Sequence, residues 1–273
     1  MSTFTDWTPD DAREHIAMPR AHDDKYSRGV LGMITGSDAY PGAAVLGVEA
    51  ALRTGVGMVR FLGDARPTQL VLQRRPEAVT AAGRVQAWLL GSGTDAAQRD
   101  EETSRRLAAA LADGHPTVID AGALDLIGRA AGPVVITPHF GELARVVGAT
   151  RDQVSSNPAA WAVRAAEELG VTVLLKGHQT FVAAPDGTRI VASSAPPWLA
   201  TAGAGDALGG ILGALAATHA DEVAADPGAL ARLAATAAVI HGLAADRASA
   251  GGPLVVLDVA TAVSRVIADL VRR

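Results

Sequence analysis

The sequence contains no cysteine. That absence removes disulfides, thiolate nucleophiles and cysteine-based zinc or iron–sulfur sites together. It also fits a reducing compartment, and a cytoplasmic location is the expectation. Charge is sparse: Asp, Glu, Lys and Arg make up 19% of the 273 residues, and the formal net charge is -5. A nucleic-acid binder carries a basic footprint, so no nucleic-acid partner is expected. Long apolar runs are missing too. Residues 1–24 hold no apolar stretch of the kind a secretory signal needs. The greasiest segment, 208–217, is interrupted by Gly209, Gly210 and Gly213. It falls short of the roughly 20 apolar residues of a membrane span, so no membrane partner is expected. Lysine is the last scarcity, with Lys25 and Lys176 alone among the basic residues.

What is present is apolar substance. Hydrophobic residues reach 49%, which excludes disorder and supplies ample core for a chain of this length. Short apolar runs at 31–35, 58–62, 87–90, 117–120, 134–137 and 171–175 read as strands. Helical patterns at 43–54 and 96–112 fall between them, and other helical stretches separate the later runs. Buried runs alternating with helices predict a parallel sheet covered on both faces. The pattern breaks at 180–184 and 189–193, which flank Pro185, Asp186, Gly187 and Thr188. Asp-Gly between two β-like runs is a hairpin signal, so antiparallel strands are expected at one edge of the sheet. After it the chain is helical over 205–217, 229–249 and 260–273, with 220–228 as a loop. No repeat and no linker rich in Pro, Gly or Ser interrupts the chain. The expectation is one three-layer α/β/α domain over 1–273, with 1–24 as an N-terminal extension of helical potential.

Ligands of open parallel sheets bind beyond the carboxyl ends of the strands, and four stretches fall there. The first runs from Thr201 to Gly210 through Gly203, Ala204, Gly205 and Asp206. Small residues leading into an apolar helix let backbone N–H groups meet an anion. Asp206 there is either a helix cap or a base toward a hydroxyl. The second joins Thr137, Pro138, His139, Phe140, Gly141 and Glu142. Its His and Glu either meet a ligand and a metal-bound water, or merely start a helix. The third is Lys176, Gly177, His178, Gln179 and Thr180. A lysine at a strand end wants an anion, which is either a phosphate or a structural carboxylate. The fourth, 35–44, is a Gly/Ser turn before a helix of small residues; it is neither a P-loop nor a dinucleotide fingerprint.

In this order the stretches resemble the ribokinase-like superfamily. More closely, they are similar to its ADP-dependent NAD(P)H-hydrate dehydratases, the YjeF C-terminal or carbohydrate kinase-related domain. The resemblance runs from about Lys25 to Ala245. Lys25 to Gly29 match the family's opening motif. Gly36 and Ser37 with Tyr40 to Ala44 match its first substrate loop, and Asp120 to Leu124 match D-A-[DG]-A-L. Thr137 to Glu142 are close to T-P-H-P-G-E, the most diagnostic piece. Lys176 to Thr180 match K-G-x-x-T, and Gly203 to Asp206 match the anion hole and its aspartate. Three departures stand out: Gly91-Ser92-Gly93 where G-P-G is common, Phe140 for Pro, and Ser193 to Trp198 in place of N-x-T-G-N-P-G. No counterpart of the epimerase domain fused in some members is seen.

The resemblance implies a chemistry: an (S)-hydrate of NADH or NADPH (NADHX, NADPHX) is dehydrated at the expense of ADP, releasing AMP and phosphate. It implies Asp206 as base, with Gly203, Ala204 and Gly205 as the catalytic anion hole. It places Ala43, Gly93, His139 and Asp206 against the hydrated substrate. Lys176, Gly177, His178, Gln179, Thr180 and Gly205 would hold the nucleotide, with Mg²⁺ bridging phosphates and Glu142 holding it through water. A separate epimerase acting on the same hydrates and a homotetramer are further implications. An ATP-dependent kinase for a sugar or vitamin alcohol is the alternative within the fold. A nucleotide-binding protein without catalysis is the alternative outside enzymes.

Overall fold

The computed structural model describes residues 3–272. Met1, Ser2 and Arg273, which the expectations above include in the extension and the last helix, lie outside the described residues. The chain opens with strand β1 (Thr5–Asp6) and helix α1 (Pro9–Glu14). The alternating part follows: β2 (Val30–Ile34), α2 (Pro41–Thr54), β3 (Met58–Phe61), α3 (Ala65–Arg74), β4 (Ala87–Leu90), α4 (Glu101–Ala112) and β5 (Thr117–Ile119). A 3-10 segment over Ala121–Arg129 leads to β6 (Val134–Ile136), α5 (Phe140–Val146), α6 (Arg151–Ser156), α7 (Pro158–Leu169) and β7 (Thr172–Leu175). Then come β8 (Thr180–Ala183), β9 (Arg189–Ala192), α8 (Ala204–Thr218), α9 (Ala220–Ala225), α10 (Ala229–Ser249) and α11 (Val256–Arg272).

One sheet of nine strands has the order β1-β9-β8-β7-β6-β5-β4-β2-β3. Strands β2 to β7 pair in parallel, and β8 is antiparallel to both its neighbours. The Asp-Gly hairpin therefore falls at the expected end. The outermost position belongs to β1, which pairs parallel with β9. The chain reverses its direction of travel between β2 and β4, creating a switch point at which such sheets bind ligands.

Alternation along the strands feeds two cores. Leu31, Met33, Ala87, Leu89 and Leu174 face the layer of α2, α8, α10 and α11. Val30, Ile34, Trp88, Leu90, Val173 and Leu175 face the layer of α4 and α7. Successive side chains of a strand point to opposite faces, so runs that look uniformly apolar serve both layers. Helix α8 is the buried axis of the first layer, with every residue from 207 to 217 buried. It lies against α2 at a Gly–Gly crossing. A Cβ added at Gly210 would stand 2.2 Å from the Gly47 carbonyl oxygen. Helix α11 closes that layer with Val256, Val259, Ala260, Val263, Val266 and Leu270, a spacing that keeps one face inward. Helix α10 is long and apolar enough to cross a membrane, but 83% of that apolar stretch is buried inside the molecule.

Two expectations need correction. Residues 220–228 hold helix α9, not only a loop. The segment 96–112 is not one helix. A 3-10 turn over Ala96–Gln98 capped by Asp95 ends before Asp100 caps α4 anew.

Candidate active site

Four neighbouring parallel strands each end in a polar residue one or two positions beyond the last strand residue. These are Ser92 after β4, Asp120 after β5, Thr137 after β6 and Lys176 after β7. Adjacent strands lie about 4.8 Å apart, so the sheet itself lines these side chains up. Asp120 is the hub. Its Oδ2 accepts from the Ser92 hydroxyl at 3.0 Å. Its Oδ1 accepts from the Thr137 hydroxyl at 2.9 Å and from Lys176 Nζ at 2.9 Å. The residue is only 3% exposed, and its three donors satisfy both carboxylate oxygens.

Lys176 also lies 3.9 Å from Glu142 Oε2. Burial works against its ammonium, but Asp120, Glu142 and Asp206 outweigh that and hold its pKa above the usual lysine value. The structural carboxylate partner foreseen for this lysine is therefore present. The same Nζ lies 3.2 Å from where a Cβ on Gly205 would stand, so the cation also hangs over the first turn of α8.

That turn is open to an anion. Gly203 sits before it at φ +91, a left-handed conformation that a side chain would strain, and an added Cβ would meet Leu46 Cδ1 at 2.6 Å. The N–H of Ala204 is bonded to the Thr201 carbonyl and that of Ala207 to the Gly203 carbonyl. The intervening Gly205 and Asp206 N–H groups are first-turn donors, which have no acceptor within a helix. Helix polarity adds partial positive charge at the same place. Asp206 rises from this turn. Burial pushes its carboxyl up to about 7, and the nearby Asp120 charge pushes the same way against the pull of Lys176.

His139 and Glu142 form a capping box on α5. His139 Nδ1 accepts from the Gly141 and Glu142 N–H groups at 3.0 and 3.1 Å. Glu142 Oε2 accepts from the His139 N–H at 2.8 Å. The helix-start role is thus realised, and with Nδ1 accepting, the ring N–H is carried on Nε2. No group of three or more His, Asp or Glu able to hold a metal occurs among the described residues.

Two cavities flank this centre. One, of about 970 Å³, is lined by His139, Lys176, Gly177, His178, Thr180, Ala204, Gly205, His241 and the segment 195–202. The other, of about 920 Å³, is lined by Tyr40, Gly93, Thr94, Gly122, Glu142 and Arg145 among others. Gly93 and Ala43 come together, since a Cβ on Gly93 would lie 2.3 Å from Ala43 Cβ. Most of the residues singled out in the sequence thus converge here. Asp206, Gly203, Ala43 and Gln179 are not among the residues that line either cavity; the Gln179 amide donates to Ser193 Oγ at 3.2 Å. His139 opens on the first cavity, across the centre from Gly93.

The sequence reading missed Asp120 as the hub, together with Ser92 and Thr137. Its available signal was the polar residue directly after each apolar run. It also passed over His241, which lies on α10 against the first cavity.

Comparison with known proteins agrees with the geometry. Residues 31–266 match the family model described as NAD(P)H-hydrate dehydratase, Carb_kinase. The chain is 41% identical over 215 residues to the bifunctional NAD(P)H-hydrate repair enzyme Nnr of Mycobacterium tuberculosis. That match covers 74% of this chain and 43% of the relative, so the chain matches less than half the length of that protein. It is 33% identical over 250 residues to the ADP-dependent (S)-NAD(P)H-hydrate dehydratase of Neisseria meningitidis, covering 85% of this chain and 81% of the relative. The ADP/ATP-dependent NAD(P)H-hydrate dehydratase of Bacillus subtilis, co-crystallized with ATP/Mg2+, superimposes with a TM-score of 0.85 at 26% identity. That superposition covers 99% of this chain and 100% of the other. With this fold, these strand-end residues and these relatives, the chain belongs to the NAD(P)H-hydrate dehydratase family of the ribokinase-like superfamily.

Proposed function

We propose that this protein dehydrates the (S)-hydrates of NADH and NADPH at the expense of ADP, returning the reduced nicotinamide with AMP and phosphate. The observation that carries the reading is the placement of Asp206 and Lys176 at the open first turn of α8, with a cavity on either side. One cavity suits a nucleoside diphosphate and the other the hydrated dinucleotide.

Hydroxide is a poor leaving group, so the hydroxyl beside the ring nitrogen is first phosphorylated. Asp206 takes the hydroxyl proton while the oxygen attacks the terminal phosphorus of ADP, and the bond to AMP breaks. The Gly205 and Asp206 N–H groups and Lys176 carry the charge of the transferring phosphoryl group. The ring nitrogen lone pair then expels phosphate. Loss of the neighbouring ring proton to the departing phosphate restores the double bond. A base near pKa 7 is matched to this task at neutral pH. Thr180, Gly177 and His178 line the nucleotide cavity beside Lys176. Gly93 over Ala43 shapes the substrate side, whereas His139 lines the nucleotide cavity.

Mg²⁺ fits as part of the nucleotide rather than as a resident ion. Asp120, Glu142 and Asp206 surround Lys176, but no group of three or more His, Asp or Glu among the described residues is placed to hold a metal, and Mg²⁺ characteristically uses one or two carboxylates, substrate phosphates and water. Bound so, it would neutralise phosphate charge, and Glu142 is the residue that would hold it through water. The family resemblance further supports a homotetramer and a companion epimerase for the hydrates, and the cysteine-free composition fits a cytoplasmic location. Light scattering of the purified protein tests the first of these.

The deciding experiment mixes the protein with hydrated NADH, Mg²⁺ and either ADP or ATP while the absorbance of reduced nicotinamide is followed. Return of absorbance with ADP, alongside AMP and phosphate, is the expected result. No return with either nucleotide, in folded protein that binds ADP, transfers the reading to a kinase for another alcohol.

A further inference from the structure

His241 has no task in the scheme above, yet it lies against the first cavity with Lys176, Ala204 and Gly205. The residue is 6% exposed, and its Nε2 is buried with no hydrogen-bond partner. A buried polar atom left unpaired costs free energy and calls for an explanation. Desolvation pushes the imidazole down to about 4, and the charge on Lys176 adds to that against a hydrogen bond from the ring to the Ala204 backbone carbonyl. The ring is therefore neutral at physiological pH and offers one donor and one acceptor.

Its position is held from both sides. On the same helix, Ala238 stands one turn away and lines the same cavity. The next residue, Gly242, is pressed on the chain before α8: a Cβ there would lie 2.7 Å from the Ser194 carbonyl carbon and 2.9 Å from the Ala195 nitrogen. Ser194 Oγ, in this same contact region, is also buried without a partner. Two unpaired polar atoms thus occur where α10 meets the wall of the nucleotide cavity, beside the turn that carries the Gly205 and Asp206 donors.

We propose that His241 is a phosphate-contacting residue of the nucleotide site, its neutral imidazole turning its single N–H from the Ala204 carbonyl to an oxygen of the bound diphosphate. It would act as a further donor beside Lys176 and the first turn of α8. A neutral donor suits this place, because Lys176 already supplies the charge and a second buried cation beside it would be repelled. The inference rests on the nucleotide reading of the first cavity.

Calorimetric titration with ADP, AMP and adenosine tests it in the wild-type chain and in His241→Leu and His241→Gln, each checked for folding by thermal melting. The expected result is a loss of about tenfold in ADP affinity for His241→Leu, the size of a lost hydrogen bond to a charged group. Adenosine binding should be unchanged, and His241→Gln, which keeps a donor, should recover part of the loss. Unchanged ADP affinity in folded His241→Leu overturns the assignment, as do equal losses for ADP and adenosine. Since a buried position can cost the fold, the imidazole ¹⁵N resonances of the wild-type protein supply a second reading. They should shift for one buried histidine on adding ADP and stay put on adding adenosine. No shift with ADP also overturns it. A wild-type chain that binds ADP but fails to restore hydrated NADH sinks the dehydratase reading alone. One that binds no ADP sinks both.

Discussion

At the scale of single residues, Asp206 links acidity to both turnover and stability. Its carboxyl sits near 7, against 3.8 for an ordinary aspartate. As the proposed base it would work when ionised, so the rate should rise with pH and level off above about 7. Asp206→Asn should lower turnover by a factor of at least about 10², while ADP still binds. Stability runs the other way. The folded pKa lies above the unfolded one, so the folded chain prefers the protonated acid, and stability falls as pH climbs from about 4 through 7. Asp206→Asn mimics the protonated form. Its melting temperature should match wild type near pH 4 and exceed it by several degrees at pH 8. Melting curves at the two pH values check the sign. Lys176→Met removes the cation from above Gly205 and leaves Asp120 with two donors instead of three. It should weaken ADP binding at least tenfold and lower the melting temperature together, read by titration and melting of one preparation.

Elements impose their own demands. Helices α2 and α8 meet where Gly210 faces the Gly47 carbonyl, a gap with no space for even a methyl group. Gly210→Ala should therefore cost several kcal/mol, in the range of overpacked cores, seen as a lowered denaturation midpoint. The sequence displayed most of these elements because their signals are local. The apolar runs at 87–90 and 58–62 fall within a residue of β4 and β3, and the Asp-Gly turn placed β8 and β9. Strand β1 escaped notice because two residues have no periodicity, and its existence depends on the edge of β9. Helix α9 escaped because six residues between α8 and α10, followed by Pro227 and Gly228, look like a connection. The α5 start was legible as a motif, and its capping box adds the reason: the His139 and Glu142 side chains each accept from the other's backbone N–H at the start of the helix. His139→Ala should cost about 1 kcal/mol through the lost cap, measurable in denaturant.

For the whole molecule, the decisive fact is the register of four strands. Ser92, Asp120, Thr137 and Lys176 are far apart in sequence and become a hydrogen-bonded row only because their strands are neighbours. Motifs revealed Lys176 and Asp206, whose small flanking residues mark them in one dimension. The role of Asp120 was not legible, since a hub is defined by partners on other strands. Ser92, which stands where a proline is common in the family, shows how a departure from a pattern can have local meaning: it donates to Asp120, as a proline could not. Ser92→Ala should leave the fold intact and lower turnover severalfold by loosening Asp120, with little change in ADP affinity.

The enclosed Lys176 has a consequence for anyone handling the protein. Amine-acylating reagents attack the uncharged form of a lysine and must reach it. Lys25 is exposed, whereas Lys176 is paired with Asp120 and held protonated. With no third lysine in the sequence, peptide mass spectrometry after brief acylation would see Lys25 modified and Lys176 spared. Any treatment that opens the centre would expose the second amine. The chain thus carries its own chemical reporter, one side chain whose labelling rate reads out how often the active centre breathes.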